Sequence, residues 1–346
     1  MSDSIILGIE SSCDDTSAAV LKGNVILSNI AANQEIHNEY GGVVPELASR
    51  AHQQNIIPVV EKAVNKANIH KKDISAIGFT RGPGLLGSLL VGTSFAKSLA
   101  MSLEVPLIEV NHLQAHILAH FIDDANPKSP NFPFLCLTVS GGHTMIVLVK
   151  DYFDMEIIGK TIDDAAGEAF DKIGKIFGLD YPAGSIIDKL SKKGEGNSFK
   201  FNKPRIENYN YSFSGIKTSV LYFIQKEVRQ NPNFIKENLD NLCASVQQTL
   251  VEILMDKLEK AAKELKINEI AIAGGVSANS SLREAMQKNA ARLGWNIYIP
   301  KFEYTTDNAA MIAMVAKLKY DRGEFADLSI SASARYDIEE SFTKNI

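Results

Sequence analysis

Two histidines four residues apart, His112 and His116, place two imidazoles on one face of any helix that carries them. That spacing suits a transition metal. His120 extends the series, so either pairing is geometrically open, and three of the chain's seven histidines fall in this short run. A third ligand must come from far away. Asp307, in Thr305-Thr306-Asp307-Asn308, is the candidate, although it reads equally as a helix N-cap. A zinc peptidase needs glutamate directly after the first histidine to activate water; Leu113 occupies that position and sets this reading far down.

Polar turns supply the second kind of chemistry. Glu10-Ser11-Ser12-Cys13-Asp14-Asp15-Thr16 puts carboxylates and hydroxyls at the end of a strand-like run, where they can hold a phosphate and its magnesium, or form an ordinary hairpin turn. Ser140-Gly141-Gly142-His143-Thr144 lies between two strand-like runs, which excludes Rossmann and Walker loops, since both open a helix. Gly274-Gly275-Val276-Ser277-Ala278-Asn279 does precede a helix, so its amides can meet an anion. In residues 163–172 the apolar positions recur at helical spacing and leave Glu168, Asp171 and Lys172 near the opposite edge, as acceptors of ribose hydroxyls or as a solvated face. Three such loops in one chain favour a bound nucleotide.

The elements that must position these groups follow from the apolar pattern. Residues 5–9, 17–21 and 25–29 read as strands, residues 45–67 as a helix, and residues 76–80 as a strand. A glycine loop, Arg81-Gly82-Pro83-Gly84, then leads into a small-residue helix over 88–103. The pattern returns: strands over 134–139 and 145–150 flank the Ser140 turn, and a strand over 269–273 precedes a helix over 280–293. Two strand–turn–strand openings, each followed by α/β material, predict a duplicated α/β fold with a cleft between the halves. Pro127, Pro130 and Pro133 mark the crossing, and a last helix over 307–322 returns to the first half. The expected domains are 1–130 plus 307–346, and 131–306.

With 346 residues, two domains are the natural division. No apolar run approaches the roughly 20 residues of a membrane span. The start of the chain does not read as a signal peptide, and three scattered cysteines suit a reducing cytoplasm. The net charge of −5 is uneven: residues 189–229 hold seven lysines and two arginines against three glutamates, +6, leaving −11 for the rest. This basic insertion interleaves Phe199, Phe201, Tyr209, Tyr211, Phe213, Tyr222 and Phe223, a pattern of RNA contact or of a solvated face.

In order along almost the whole chain, GIESSCDDTSAAV, YGGVVPELASRAH, GPGLLGSLLVGTSFAKSLA, VNHLQAHILAH, TVSGGHT, IDDAAGEAFDKIGKIFGLDYPAG, YSFSGIK, AGGVSAN and TTDNAAMIA resemble the motifs of the TsaD family, bacterial type. The resemblance implies two RNase-H-like halves of the actin/Hsp70/sugar-kinase (ASKHA) type. It implies transfer of a threonylcarbamoyl group from threonylcarbamoyl-AMP to the adenosine 3′ of the anticodon in tRNAs reading ANN codons. By motif, His112, His116 and Asp307 would ligate one divalent metal, iron(II) ahead of zinc. Thr138, Val139, Ser140, Gly141, Gly142, Asp171, Gly184, Asp188 and Asn279 would bind the adenylate, with magnesium as a companion. Glu10 and Asp14 would be the catalytic carboxylates near the phosphate. Implied partners are tRNA, a degenerate paralogue of the same fold (TsaB) and an ATPase (TsaE), with no membrane. The family's histidine motif often carries an acidic residue where this chain has Gln114, which points away from the metal face. The rival from another class is a nucleotide-binding scaffold, which has no use for a converging His112, His116 and Asp307.

Overall fold

A computed structural model describes residues 4–34, 37, 40–123 and 128–339. Pro127 lies outside them. The chain divides into two compact units, Met1–Pro130 with Asp151–Met155 and Pro300–Ile346, and Asn131–Lys150 with Glu156–Ile299.

The first unit is built on a sheet of β1 (Ile5–Glu10), β2 (Thr16–Lys22), β3 (Val25–Ala32), β4 (Ala76–Gly82) and β5 (Leu107–Asn111), in the order β3-β2-β1-β4-β5. The first three strands pair antiparallel, and β4 and β5 extend the sheet in parallel from β1. Parallel strands are buried on both faces, which is why β1 and β4 read as continuous apolar runs. Leu7, Ile9, Ile77 and Phe79 face one way, into a core shared with Ile56, Val59, Val60 and Ala63 of α1 (Pro45–Lys66) and Ala96 and Ala100 of α2 (Leu86–Leu103). The alternate positions on the same strands include Gly8 and Gly78. A Cβ on Gly8 would lie 2.5 Å from the Ala309 carbonyl oxygen and 2.6 Å from the Ala313 nitrogen, and one on Gly78 would collide with Ala316. All three alanines belong to α9 (Ala309–Asp321), so this helix lies directly against the sheet backbone.

The second unit repeats the plan with β6 (Phe134–Val139), β7 (Thr144–Asp151), β8 (Asp154–Lys160), β9 (Glu269–Ala273) and β10 (Asn296–Tyr298), in the order β10-β9-β6-β7-β8. β6 pairs antiparallel with β7 and parallel with β9, as β1 does with β2 and β4. The duplication read in the sequence is therefore strand for strand. Its core takes in α4 (Ala166–Phe177), α5 (Ala183–Ser191), α6 (Ser214–Gln230), the long α7 (Phe234–Leu265) and α8 (Ser280–Leu293).

One reading needs correction. Among the described helices α2 is long and apolar enough to cross a membrane by length and composition, which the sequence did not lead us to expect. Its Ala96 and Ala100 are buried in the core with the first unit's sheet and α1 and its Leu89 is fully buried, while Leu86, Leu90 and Met101 are exposed. Its small residues pack internally: the Ser11 hydroxyl donates to the Ser88 carbonyl at 3.0 Å.

Replacing Gly8 by alanine is expected to destabilise the chain by about 1–3 kcal/mol, the usual cost of overpacking. A lowered urea midpoint, measured by circular dichroism, checks this.

Candidate metal centre

The histidines sit where a strand hands over to a helix. β5 ends at Asn111, whose side chain accepts the Leu113 and Gln114 amides at 2.9 and 3.2 Å and so caps α3 (His112–Leu118). All seven residues of α3 are buried. The helix then tightens into a 3-10 turn, Ala119–Phe121, that carries His120. The group of potential ligand atoms that converges takes in His112 and His116 and not His120.

Asp307 closes the constellation. The N-cap of α9 is Asn308, which accepts the Met311 amide at 3.1 Å, so Asp307 is not consumed in capping. Its Oδ1 lies 3.4 Å from His112 Nε2 and 3.2 Å from His116 Nε2. The ligand atoms of His112, His116 and Asp307 lie within 4.8 Å of one another. Two imidazoles and one carboxylate with open positions form the donor set of non-haem iron(II), and zinc also accepts it. The residues fit such a metal.

Glu10 stands behind this centre. Its carboxylate is fully buried and accepts hydrogen bonds from the Ser12 amide, from Thr80 Oγ1 at 2.7 Å and from His112 Nδ1 at 3.0 Å. A second partner of His112 Nδ1 is the Ser12 hydroxyl, 3.2 Å away. This fixes the tautomer that turns Nε2 toward Asp307. Glu10 therefore reaches the centre through His112. By contrast, His116 Nδ1 is buried with no hydrogen-bond partner, so that ring is oriented by its Nε2 bond with Asp307 and by the His112 ring, edge-on at 4.8 Å.

The electrostatics are those of a cation site. Burial disfavours the His112 cation, but Asp307 and Glu10 outweigh it and hold the imidazolium well above the usual histidine range. Both carboxylates are pushed below theirs: burial opposes the shift, and His112 overrides it. Asp15, half-buried near Asp14, Asp307 and Glu10, is pushed up to about 7 by burial and then by those like charges. The same crowding keeps the Cys13 thiol protonated, which makes it a poor ligand and a poor nucleophile. Asp14 is half-buried on the same turn. A strut missing from the sequence reading is His52 of α1, whose Nδ1 meets Thr16 Oγ1 at 2.7 Å and whose Nε2 donates to the Cys13 carbonyl at 3.0 Å. A lone histidine in an amphipathic helix gives no sequence signal for this.

The remaining candidates lie in the second unit, at the carboxyl ends of β6 and β9. Thr138 and Val139 end β6 and are buried, and a Cβ on Gly274 would press on the Val139 carbonyl at 2.5 Å. Ser140 turns the chain by accepting the His143 amide on its hydroxyl at 3.0 Å and the Gly167 amide on its carbonyl at 3.2 Å. Gly141 and Gly142 are exposed, with open space where a Cβ would be. Asp171 is on neither a free face nor a solvated one: it accepts the Ala183 amide at the start of α5 at 2.8 Å, beside Gly184, and burial raises its pKa. Asp188 of α5 accepts the Ser280 amide and hydroxyl at 3.0 and 2.7 Å. Asn279 caps α8 through Leu282 and donates to Gln247 Oε1 at 2.6 Å. Gln247, buried on α7, also donates to Ser191 and Ser281, a hub that only a polar residue on an apolar helical face could have signalled.

The aromatic half of the RNA reading is corrected here. Phe201, Tyr211 and Phe213 are core residues, and Phe199, Tyr209 and Phe223 pack against that core; Tyr222 is exposed. Hydrophobic burial, not base stacking, accounts for those rings. Charge remains: Lys189, Lys193, Lys200, Arg205 and Arg229 are exposed.

A family model for tRNA N6-adenosine threonylcarbamoyltransferase, TsaD, matches residues 25–314. The tRNA N6-adenosine threonylcarbamoyltransferase of Riemerella anatipestifer is 79% identical, covering 98% of this chain and 99% of its own. That of Christiangramia forsetii is 62% identical over 96% and 97%. Among solved structures, full-length HypF in its phosphate- and nucleotide-bound form covers 93% of this chain with 47% of its own (TM-score 0.61, 14% identity). Component A of the Acidaminococcus fermentans (R)-2-hydroxyglutaryl-CoA dehydratase covers 92% with 99% (TM-score 0.52, 15% identity). At such identities the likeness is one of fold, the ASKHA architecture. The chain belongs to the TsaD family and is an acyltransferase.

Glu10→Gln removes the anionic acceptor behind His112 and is expected to weaken Fe2+ or Zn2+ binding about 10–100-fold, read by chelator competition. Because a metal must displace the proton held on His112, uptake should release protons and weaken as pH falls. Calorimetric titrations in buffers of different ionisation enthalpy between pH 6 and 8 measure both effects.

Proposed function

We propose that this chain transfers the threonylcarbamoyl group of threonylcarbamoyl-AMP to the exocyclic amine of the adenosine 3′ of the anticodon in tRNAs that read ANN codons. The observation that carries this reading is the convergence of His112, His116 and Asp307 in a chain of this family. In the step, the amine nitrogen forms a bond to the carbamoyl carbon, the bond from that carbon to the phosphate oxygen breaks, AMP leaves with the electron pair, and the amine gives up a proton. An aromatic amine is a weak nucleophile, so positioning and charge stabilisation must supply most of the rate.

A divalent metal, iron(II) before zinc, would be held by His112, His116 and Asp307 and, when bound, supplies a Lewis acid for the carbamoyl carbonyl. Glu10 keeps the His112 ring in its ligating tautomer. Asp14, on the same turn, is our candidate to receive the amine's proton. Thr138, Val139, Ser140, Gly141, Gly142, Asp171, Gly184, Asp188 and Asn279 hold the adenylate in this reading, with the open Gly141–Gly142 amides toward its phosphate and a magnesium ion as companion. Exposed cations between Lys189 and Arg229 meet tRNA phosphates. The exposed apolar residues Ile57, Leu86, Leu90 and Met101 suit docking of the paralogue TsaB, with TsaE as the ATPase partner. The reaction belongs in the cytoplasm.

Purified chain supplied with TsaB, TsaE, ATP, threonylcarbamoyl-AMP and unmodified tRNA is expected to yield threonylcarbamoyladenosine on nucleoside mass spectrometry. Asp307→Asn should reduce the yield at least 100-fold, on the order of what loss of a charge-stabilising group costs. Absence of the modified nucleoside with the wild-type chain would refute the transfer.

A further inference from the structure

The metal helix α3 has seven residues, and isolated helices below about 12–15 residues are marginal in water. Its position must therefore be imposed by what it touches. α9 is one such neighbour. Another is the segment 331–338, which follows α9 and runs back over the ends of β4 and β5.

That segment is fixed along its length. Arg81 donates from Nε to the Ser331 carbonyl at 3.2 Å, and the Ser333 amide donates to the Arg81 carbonyl at 2.9 Å. The Gly84 amide donates to the Ala334 carbonyl at 3.2 Å. The Arg81 guanidinium lies 4.5 Å from the centre of the Tyr336 ring. Gly82 is a glycine because any Cβ there would strike the Ser333 carbonyl. Tyr336 and Ile338 are buried. Two contacts then join the segment to α3. Asn111, fully buried, accepts from α3 through Oδ1 and donates through Nδ2 to the Tyr336 and Asp337 carbonyls, both at 3.2 Å. Gln114, lying between the two histidines in sequence, donates from Nε2 to the Ile338 carbonyl at 3.4 Å.

We infer that residues 331–338 are a positioning strap for the metal helix, acting through Asn111 and Gln114. This rests on His112, His116 and Asp307 being metal ligands. The amide of Asn111 joins two functions: its oxygen holds the first turn of α3, and its nitrogen ties that turn to the strap. Gln114 carries the amide donor that Ile338 requires, which an ionised acid at this position does not supply. Through these two side chains the strap limits how far His112 can move from Asp307.

The test uses three chains. Asn111→Ser keeps an N-cap but removes the donors to the strap, Gln114→Leu removes the Ile338 contact, and a chain ending at Ile330 removes the strap outright. Each is loaded with Zn2+ or Fe2+, and metal release to excess chelator is followed beside hydrogen exchange of the 113–116 amides. Expected are release about tenfold faster than wild type, the scale of losses around a metal's ligands, and faster exchange at 113–116. Exchange in β6 and α8 should be unchanged. Should the shortened chain not fold, the two point variants decide. Wild-type release rates in all folded variants overturn the inference, above all where the 331–338 amides have lost protection. If the wild-type chain itself takes up neither metal, the ligand assignment fails instead. The strap is then judged by the 113–116 amides alone: faster exchange supports it, and unchanged exchange overturns it.

Discussion

The close approach of α9 to the central strands of the first unit governs much else in the structure. A helix can lie on a sheet at backbone contact only where both sides are small. Gly8 and Gly78 supply that on the sheet, and Ala309, Ala313 and Ala316 on the helix. Once α9 is seated, its N-terminal end is fixed, and Asp307 immediately before it is carried to within 3.4 Å of His112 and 3.2 Å of His116. The metal centre is thus a consequence of helix–sheet packing. Its ligands come from two elements whose spacing is set by the smallest side chains in the core.

Around that centre the polar groups are arranged in layers with unequal roles. Glu10 is buried, bonded by three donors, and acts on the centre through His112 alone among the ligands. Asp14 and Asp15 are half-buried on the following turn, which His52 pins from α1. The two imidazoles differ accordingly. His112 is bonded behind its ring at Nδ1, whereas His116 Nδ1 has no partner and its ring is held through Nε2 and by packing. In the second unit the candidate residues share a different logic: Asp171, Asp188 and Asn279 each spend a side chain on a helix start, and Gln247 ties α7 to α5 and α8. What these leave open is the space beside Gly141 and Gly142, where a Cβ would meet nothing.

Much of this was legible in the residue pattern. Runs of buried apolar residues located β1 to β4, β6, β7 and β9 to within three residues, while β5, β8 and β10 went unread; the strand–turn–strand openings revealed the duplication, because local periodicity is what a buried sheet imposes on sequence. The His112–His116 pair was legible for the same reason. Asp307 was ambiguous, since a carboxylate before a helix can cap or ligate; only the structure shows Asn308 taking the cap. Histidine spacing alone left the pairing with His120 open, and the converging group takes in His112 and His116. The aromatics of residues 189–229 misled because composition cannot tell a ring in a core from a ring on a surface. His52, Gln247 and Asn111 were invisible because each acts across a long stretch of chain.

The order in which the ligands occur along the chain has a further consequence. His116 and Asp307 are 191 positions apart, with the whole second unit between them. During synthesis at about 5–20 residues per second, roughly 10–40 seconds separate the emergence of these two residues. In that interval the face of the first sheet that receives α9 stays bare, while the second unit is made strand by strand and gains its last, β10, just before Asp307. An incomplete chain therefore displays two histidines without their carboxylate and an uncovered apolar sheet face. Completion of the metal centre coincides with closure of the first core, so that a chain able to hold metal is one whose translation has passed its last core helix.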